Sequence, residues 1–262
     1  MNYNYHAHTV YCRHAKGTME EYVTRAYEMG VRHMGFSDHF PFRFPDGFEK
    51  SWRVQISEAD MYIRDVCELR EKYKGKIDIF LGFEMEYYSE FFDEMLKNAE
   101  TYGADYLILG QHFINASFDY PNNVHTVLPT DSENMLVTYA DSVTAAIASG
   151  VFTYVAHPDI FNFTGDDGVY TREMARICEA SAKYDVPLEI NFLGIRERRC
   201  YPRESFWKIA REFSSPVTFG FDAHDVMAAY DSASLPRAME LVQRYELNYI
   251  GEPTLRAVKA KK

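Results

Sequence analysis

Residues 77–84 read Ile-Asp-Ile-Phe-Leu-Gly-Phe-Glu, a strand-forming run that ends on the carboxylate of Glu84. Branched and aromatic residues at this density fit a buried strand, and the run is too short for a core helix. A core strand has no reason to carry an ionisable group unless something binds it there. Outward from this run the same design recurs. Strand-like stretches fall at 2–8, 33–38, 105–112, 152–157, 187–192 and 216–222, and most end at or next to a histidine or an acid. Helical stretches lie between them at 18–29, 57–73, 90–102, 132–149, 172–184, 203–213 and 235–244, with apolar residues at three-to-four spacing such as Met61, Val66, Leu69 and Tyr73. Thr18 with Glu21, Ser57 before Asp60 and Asp131 before Asn134 read as N-terminal caps, and Gly30, Gly103 and Gly150 as C-terminal ones. Seven strand–helix repeats in alternation predict an α/β fold with parallel strands, closed or nearly closed into a barrel, whose chemistry lies at the C-terminal strand ends.

A chain of 262 residues with 47% hydrophobic content fits one such barrel, so 1–262 reads as a single domain. Runs such as Ile77–Phe83 and Tyr106–Leu109 are too short to span a bilayer, and residues 2–8 lack the basic and long apolar parts of an export signal. The expectation is a soluble cytoplasmic protein without membrane contact. A net charge of -11 argues against a long nucleic-acid partner, which calls for a basic face. Cys12, Cys67, Cys178 and Cys200 show no CxxC spacing and read as free thiols; Cys12 lies between His8 and His14, but spacing gives no reason to make it a ligand. The irregular segments 40–56 and 113–131 follow ligand-bearing strands and read as walls or lids, and Lys259–Lys262 as a solvated basic end.

Seven of the nine histidines, His6, His8, His14, His39, His112, His157 and His224, sit where a metal site would need them, almost every one at or just past the end of a strand-like run. His6 and His8, at i and i+2 on a strand, point the same way and can grip one ion. Asp222-x-His224 forms a second such pair near the other end of the chain. In a closed barrel the first and last strands are neighbours, which brings the two pairs together, and Glu84 could bridge two ions.

These residues resemble the PHP (polymerase and histidinol phosphatase) family, and within it the histidinol-phosphate phosphatases. The resemblance is carried by His6-Ala7-His8-Thr9, Tyr11-Cys12-Arg13-His14, Gly35-Phe36-Ser37-Asp38-His39, Gly82-Phe83-Glu84-Met85-Glu86-Tyr87 and Gly110-Gln111-His112-Phe113. It continues through Ala156-His157-Pro158-Asp159, Glu189-Ile190-Asn191 and Asp222-Ala223-His224. It implies a distorted (β/α)7 TIM-like barrel with three divalent ions, zinc, iron or manganese. Carried across, the first ion takes His6, His8, Glu84 and Asp222. The second shares Glu84 and adds His112 and His157, and the third takes His14, His39 and His224. Three ions and two carboxylates leave a local charge of about +4, an anion trap within an acidic protein.

The expected activity is phosphate monoester hydrolysis by a metal-bridging hydroxide: L-histidinol phosphate and water giving L-histidinol and phosphate, a step of histidine biosynthesis. Glu84, Asp222 and His224 are the catalytic candidates, Asp222 or His224 protonating the leaving alkoxide. Arg196, in a Gly-hydrophobic-Arg segment like that of the histidinol phosphatases, is the expected phosphate clamp, with Arg13 a second. Glu86 is the candidate for a cationic amine or for support of a metal ligand. Tyr87, Phe113 and Tyr120 are wall candidates, and His33 and His125 read as structural or surface groups. The alternatives are a PHP phosphoesterase for another small ester (sugar, nucleotide or short oligonucleotide end) and a non-catalytic metal-binding PHP module. An amidohydrolase is disfavoured, because no lysine occupies a strand end.

Overall fold

The computed structural model describes residues 1–44, 47, 49–114 and 124–259. Tyr120 and the last three residues of the basic end lie outside the described residues. The strands are β1 (Tyr3–Asn4), β2 (His33–His39), β3 (Asp78–Met85), β4 (Tyr106–Leu109), β5 (Leu188–Asn191), β6 (Pro216–Gly220) and β7 (Asn248–Tyr249). The helices are α1 (Met19–Glu28), α2 (Ala59–Lys72), α3 (Phe92–Thr101), α4 (Glu133–Ser149), α5 (Asp167–Tyr184), α6 (Phe192–Glu197), α7 (Glu204–Glu212) and α8 (Leu235–Arg244).

Every pairing between these strands is parallel. β1 to β4 run side by side in order, as do β5 to β7. Single bridges join the two sheets. Val155 pairs with Leu109 on one side and Leu188 on the other, and Ala7 pairs with Ala223. His8 N–H donates to Ala223 O at 2.9 Å and Ala223 N–H to His6 O at 3.1 Å, closing the ring. The result is a distorted TIM-like barrel. The expected fifth strand, 152–157, is thus reduced to one residue bridged on both sides. The expected final strand, 216–222, ends at Gly220. β7, which the alternation did not predict, fills the lower gap beside β6, where Tyr3 Oη donates to Gly251 O at 2.8 Å.

The first strand is broken. Tyr3 and Tyr5 belong to an inner cluster with Tyr106, Ile108, Tyr154 and Ala156, whereas Ala7 joins the outer core under the helices. Asn4 Oδ1 accepts from His6 N–H at 3.0 Å in place of a ladder partner. That interruption lets tyrosines and histidines of opposite parity share the lumen. Tyrosines fill the lower barrel and the histidines stand above them.

The Thr18–Glu21 capping box forms as expected. The other two caps shift: Ser132, not Asp131, caps α4 by accepting from Met135 N–H, and α2 has no side-chain cap at Ser57. α5 starts earlier than the periodicity suggested because Asp166 caps it, and α6 is a short helix capped by Asn191. Among the described residues no helix is long and apolar enough to cross a membrane.

Because Tyr106 is fully buried and its hydroxyl donates to Tyr5 O at 2.9 Å, it ties β4 to the broken first strand. Tyr106→Ala is expected to destabilise the fold by about 3–5 kcal/mol, read as a lower midpoint in urea unfolding at unchanged slope. A loss below about 1 kcal/mol would mean that the lower barrel is not packed through this ring.

Candidate metal centre

Glu84, second to last in β3, stands at the centre of the upper barrel with 3% of its surface exposed. Five imidazoles face its carboxylate: His157 Nε2 at 2.9 Å, His39 Nδ1 at 3.0 Å, His112 Nε2 at 3.4 Å, His8 Nε2 at 3.5 Å and His6 Nε2 at 3.7 Å. Asp222 forms a second focus, with Oδ1 at 3.3 Å from His8 Nε2, 3.5 Å from His6 Nε2 and 3.3 Å from His224 Nδ1. His14 Nε2 and His224 Nε2 approach to 2.9 Å at the outer edge. The nine residues expected from the resemblance therefore converge on one region.

Donors that lie mutually close form overlapping sets. His6, His8 and Asp222 form one set of mutually close donors, and His6, Glu84 and His157 another. His8, His39 and His224 form a third, and Cys12 joins His14 and His224 in a fourth, a proximity that spacing alone did not reveal.

Backbone geometry aims these groups. His157 (φ 33°) and Asp222 (φ 47°) both adopt left-handed conformations, unusual for residues with a Cβ. Small neighbours make room as well. A Cβ on Gly110 would lie 1.9 Å from Glu84 Oε1, and one on Gly220 would lie 1.6 Å from Glu189 Oε1.

A layer of buried polar groups fixes the ligands from behind. Glu189, fully buried in β5, accepts from His6 Nδ1 at 2.7 Å, from His157 N–H at 2.9 Å and from Asn191 Nδ2 at 2.8 Å. Asn191 Nδ2 also donates to Asp222 Oδ2 at 3.0 Å. Asp38 lies 3.5 Å from His8 Nδ1 and accepts from Thr9 N–H at 3.1 Å. Sequence reading quoted Glu189 and Asn191 but gave them no role. The signal was present, since Leu188-Glu189-Ile190-Asn191 places a charge inside a core strand just as Glu84 does.

Electrostatics divides the rings. Burial pushes His39 down to about 3 and His112 well below the usual imidazole range. Burial also acts on His6 and His8, but carboxylates outweigh it, Glu189 foremost at His6 and Asp222 at His8. His6 is held well above its ordinary value and His8 at about 9. Glu84 and Asp222 stay well below the carboxylate range because the surrounding imidazoles outweigh their burial.

These donors fit divalent ions. His6 Nε2, His8 Nε2, Glu84 Oε2 and Asp222 Oδ1 are buried without a hydrogen-bond partner, and they face one another. An imidazole-and-carboxylate set of this kind suits zinc, iron or manganese. Glu189 and Asp38 add two buried negative charges to the two counted from sequence. The local charge with three ions bound becomes about +2 rather than +4.

All of the donors except His6 line a pocket of about 360 Å³ that also includes Trp52, His125, Leu193, Glu197, Arg199 and Tyr201. Trp52 and His125 come from the two irregular segments expected as walls, and His125 is thereby a lining group rather than a surface one. The expected substrate contacts do not line the pocket. Arg196 is turned onto Asp231 Oδ2 at 2.8 Å and Asp222 O at 3.1 Å. Arg13 binds Tyr11 O at 2.6 Å and Glu58 at 2.5 Å. Glu86 is buried in an ion pair with Arg53, 3.9 Å from His112 Nδ1, so it supports a ligand rather than facing a substrate. Phe113 stacks on Trp52 at 5.6 Å, and Tyr87 packs on Phe92.

A closed parallel barrel whose C-terminal mouth gathers seven imidazoles and buried carboxylates defines a metal-binding barrel protein. The sequence model of the PHP domain matches residues 4–192, and the chain belongs to the PHP domain family. A Deinococcus radiodurans protein named "Probable histidinol-phosphatase" is 28% identical over 225 residues, spanning 84% of this chain and 85% of its own length. The "Histidinol-phosphatase" of Bacillus subtilis is 27% identical over 258 residues, 87% of this chain and 96% of its own. In fold, the chain is similar to the Lactococcus lactis histidinol phosphate phosphatase, solved with zinc, L-histidinol and phosphate. The TM-score is 0.73 at 20% identity, covering 100% of this chain and 99% of that one. All three relatives bear the name of a histidinol phosphatase.

Glu189→Gln keeps the shape but removes the charge that fixes the His6 tautomer, so metal affinity is expected to fall about 10–100-fold. Competition with a chelator, followed by elemental analysis, measures this. Unchanged retention would mean that His6 is oriented by other means.

Proposed function

We propose that the chain is a metal-dependent phosphomonoesterase of the histidinol-phosphatase type, hydrolysing L-histidinol phosphate to L-histidinol and phosphate in histidine biosynthesis, in the cytoplasm, as a single PHP barrel domain. The observation that carries the reading is the cluster of five imidazoles around the Glu84 carboxylate at the floor of a pocket sized for a small ester. The names of the two curated relatives and the ligands of the Lactococcus structure support the substrate.

In this reading His6, His8, His14, His39, Glu84, His112, His157, Asp222 and His224 hold three divalent ions. Bound there, the ions supply Lewis acidity toward the phosphoryl oxygens and acidify an attacking water. The chain's own residues supply placement. Glu189 holds the proton of His6 on Nδ1, which directs the lone pair of Nε2 into the centre. Asn191 holds Oδ2 of Asp222 and leaves Oδ1 facing the histidines. Asp222, ionised at rest, takes up the proton that the attacking water gives up and passes it, directly or by way of His224 beside it, to the leaving alkoxide. Trp52, Tyr201 and Leu193 give the leaving group flat apolar walls that keep out water. The neutral tyrosines below seal the other end of the barrel.

A second reading, hydrolysis of a different small phosphate ester in the same site, draws support from one feature: Arg196, Arg13 and Glu86 do not line the pocket.

Phosphate release from L-histidinol phosphate and from a panel of sugar, nucleotide and aryl phosphates, with metal content measured on the same preparation, tests both readings. The expected result is the highest kcat/KM for L-histidinol phosphate and loss of activity with chelator. His8→Ala and Glu84→Ala are expected to lose more than the roughly 10–100-fold typical of groups behind the ligands. Turnover of other esters with L-histidinol phosphate untouched would leave the second reading. A metal-loaded protein inert to every ester would end both.

A further inference from the structure

We propose that Glu197 and Arg199 form a two-sided clamp at the pocket mouth that selects a zwitterionic ester, one carrying an amine as well as a phosphate. The inference rests on the phosphatase reading of the pocket and names residues that determine its specificity.

The clamp is built by a backbone reversal. α6 ends at Glu197, and Arg198 turns the chain with a left-handed conformation (φ 54°). Arg198 N–H then donates to Ile195 O at 3.3 Å and Arg199 N–H to Gly194 O at 3.0 Å. The reversal puts Glu197 and Arg199 on the pocket lining, on either side of the turn residue. Downstream the chain is pinned to the loop that follows His157: Cys200 Sγ reaches Ile160 O at 3.6 Å, and Arg203 N–H donates to Asp159 Oδ2 at 2.6 Å. The Tyr201 ring lies 5.7 Å from that of His157. The rim is thus registered to a metal ligand.

Arg199 has a loose engagement. Its Nε and Nη2 contact Glu197 Oε2 at 2.8 and 2.7 Å, and Nη1 donates to the Tyr201 hydroxyl at 3.1 Å. The two side chains are 40% and 50% exposed, and an ion pair open to water contributes little net stability. It is therefore exchangeable. Among the described residues, Arg199 is the one guanidinium or ammonium group that lines the pocket.

A zwitterionic ester can split this pair without stranding a charge, its phosphate taking Arg199 and its ammonium taking Glu197. An ester without an amine has no such exchange. Its phosphate must draw Arg199 away and leave Glu197 unpaired near another anion. Glu197 thus selects for the amine and against its absence, attraction and repulsion acting through one carboxylate.

The test uses the metal-loaded full chain with L-histidinol phosphate and phenyl phosphate as substrates, comparing wild type, Glu197→Gln and Arg199→Gln. Glu197→Gln is expected to lower kcat/KM for L-histidinol phosphate roughly tenfold, mainly through KM, and to raise that for phenyl phosphate. Arg199→Gln is expected to lower both. Metal content should match wild type in each variant, since neither residue is a ligand. Equal effects of Glu197→Gln on the two esters, no effect on either, or a wild type that prefers phenyl phosphate would overturn the clamp and leave the phosphatase reading standing. A wild type inert to both esters at full metal content would instead overturn the phosphatase reading, and the clamp with it.

Discussion

Glu84 is a carboxylate cut off from water and faced within 3.7 Å by ring nitrogens of His6, His8, His39, His112 and His157. A charge so deeply buried is tolerated only where partners compensate its lost hydration, and removing those partners costs far more than the pair contributes. The partners come from four separate stretches of the chain, so their meeting depends on the closure of the barrel. The bridges that complete the ring, Ala7 with Ala223 and Val155 with both neighbours, lie one or two residues from His6, His8, Asp222, His224 and His157. Fold closure and assembly of the centre are therefore one event. The weakest-paired parts of the sheet sit where the ligands are.

The local conformations follow from that requirement. Tyr154 and Ala156 face the inner cluster, while Val155 faces the helices. A continued strand would send the next residue, His157, outward, and its left-handed backbone is what returns it to the lumen. Asp222, two residues after β6 and just before Ala223 pairs with Ala7, is left-handed as well, although alternation with the outward Phe221 already turns it inward. Such conformations cost on the order of 1–3 kcal/mol each and persist where surroundings hold them. Glu189 does the holding at His157, by accepting its backbone N–H, and Asn191 does so at Asp222 through the side chain.

The barrel class and the convergence of the nine candidate ligands were legible because strand and helix periodicities differ and because ionisable groups recur at the ends of apolar runs. The segment 152–157 was not, since its ladder consists of Val155 alone and that shortness has no compositional mark. α6 was missed because six residues containing Gly194 show no helical period. The substrate side was read least well. Arg196 and Arg199 stand three residues apart in one charged run, and which of them faces the pocket turns on the left-handed conformation of Arg198, which composition does not announce. Glu189 was within reach of the argument that found Glu84, because both are charges inside apolar strands.

The tyrosines beneath the centre complete the electrostatic design. Tyr3, Tyr5, Tyr106 and Tyr154 occupy the lower lumen, and burial raises each phenol far above its ordinary value, so they stay neutral. A floor of neutral rings closes one end of the barrel to solvent and lowers the local dielectric, which strengthens every interaction between the buried carboxylates, the imidazoles and the cations they suit. Four buried carboxylates in so small a volume would repel one another without cations between them. With three divalent ions bound, the balance at the upper, open end would be about +2. With those ions in place, a chain whose net charge is -11 would present positive potential at the pocket mouth. Screening confines the negative surface to about 8–10 Å in physiological salt, whereas the field inside the lumen is little screened, so the local sign prevails over the global one.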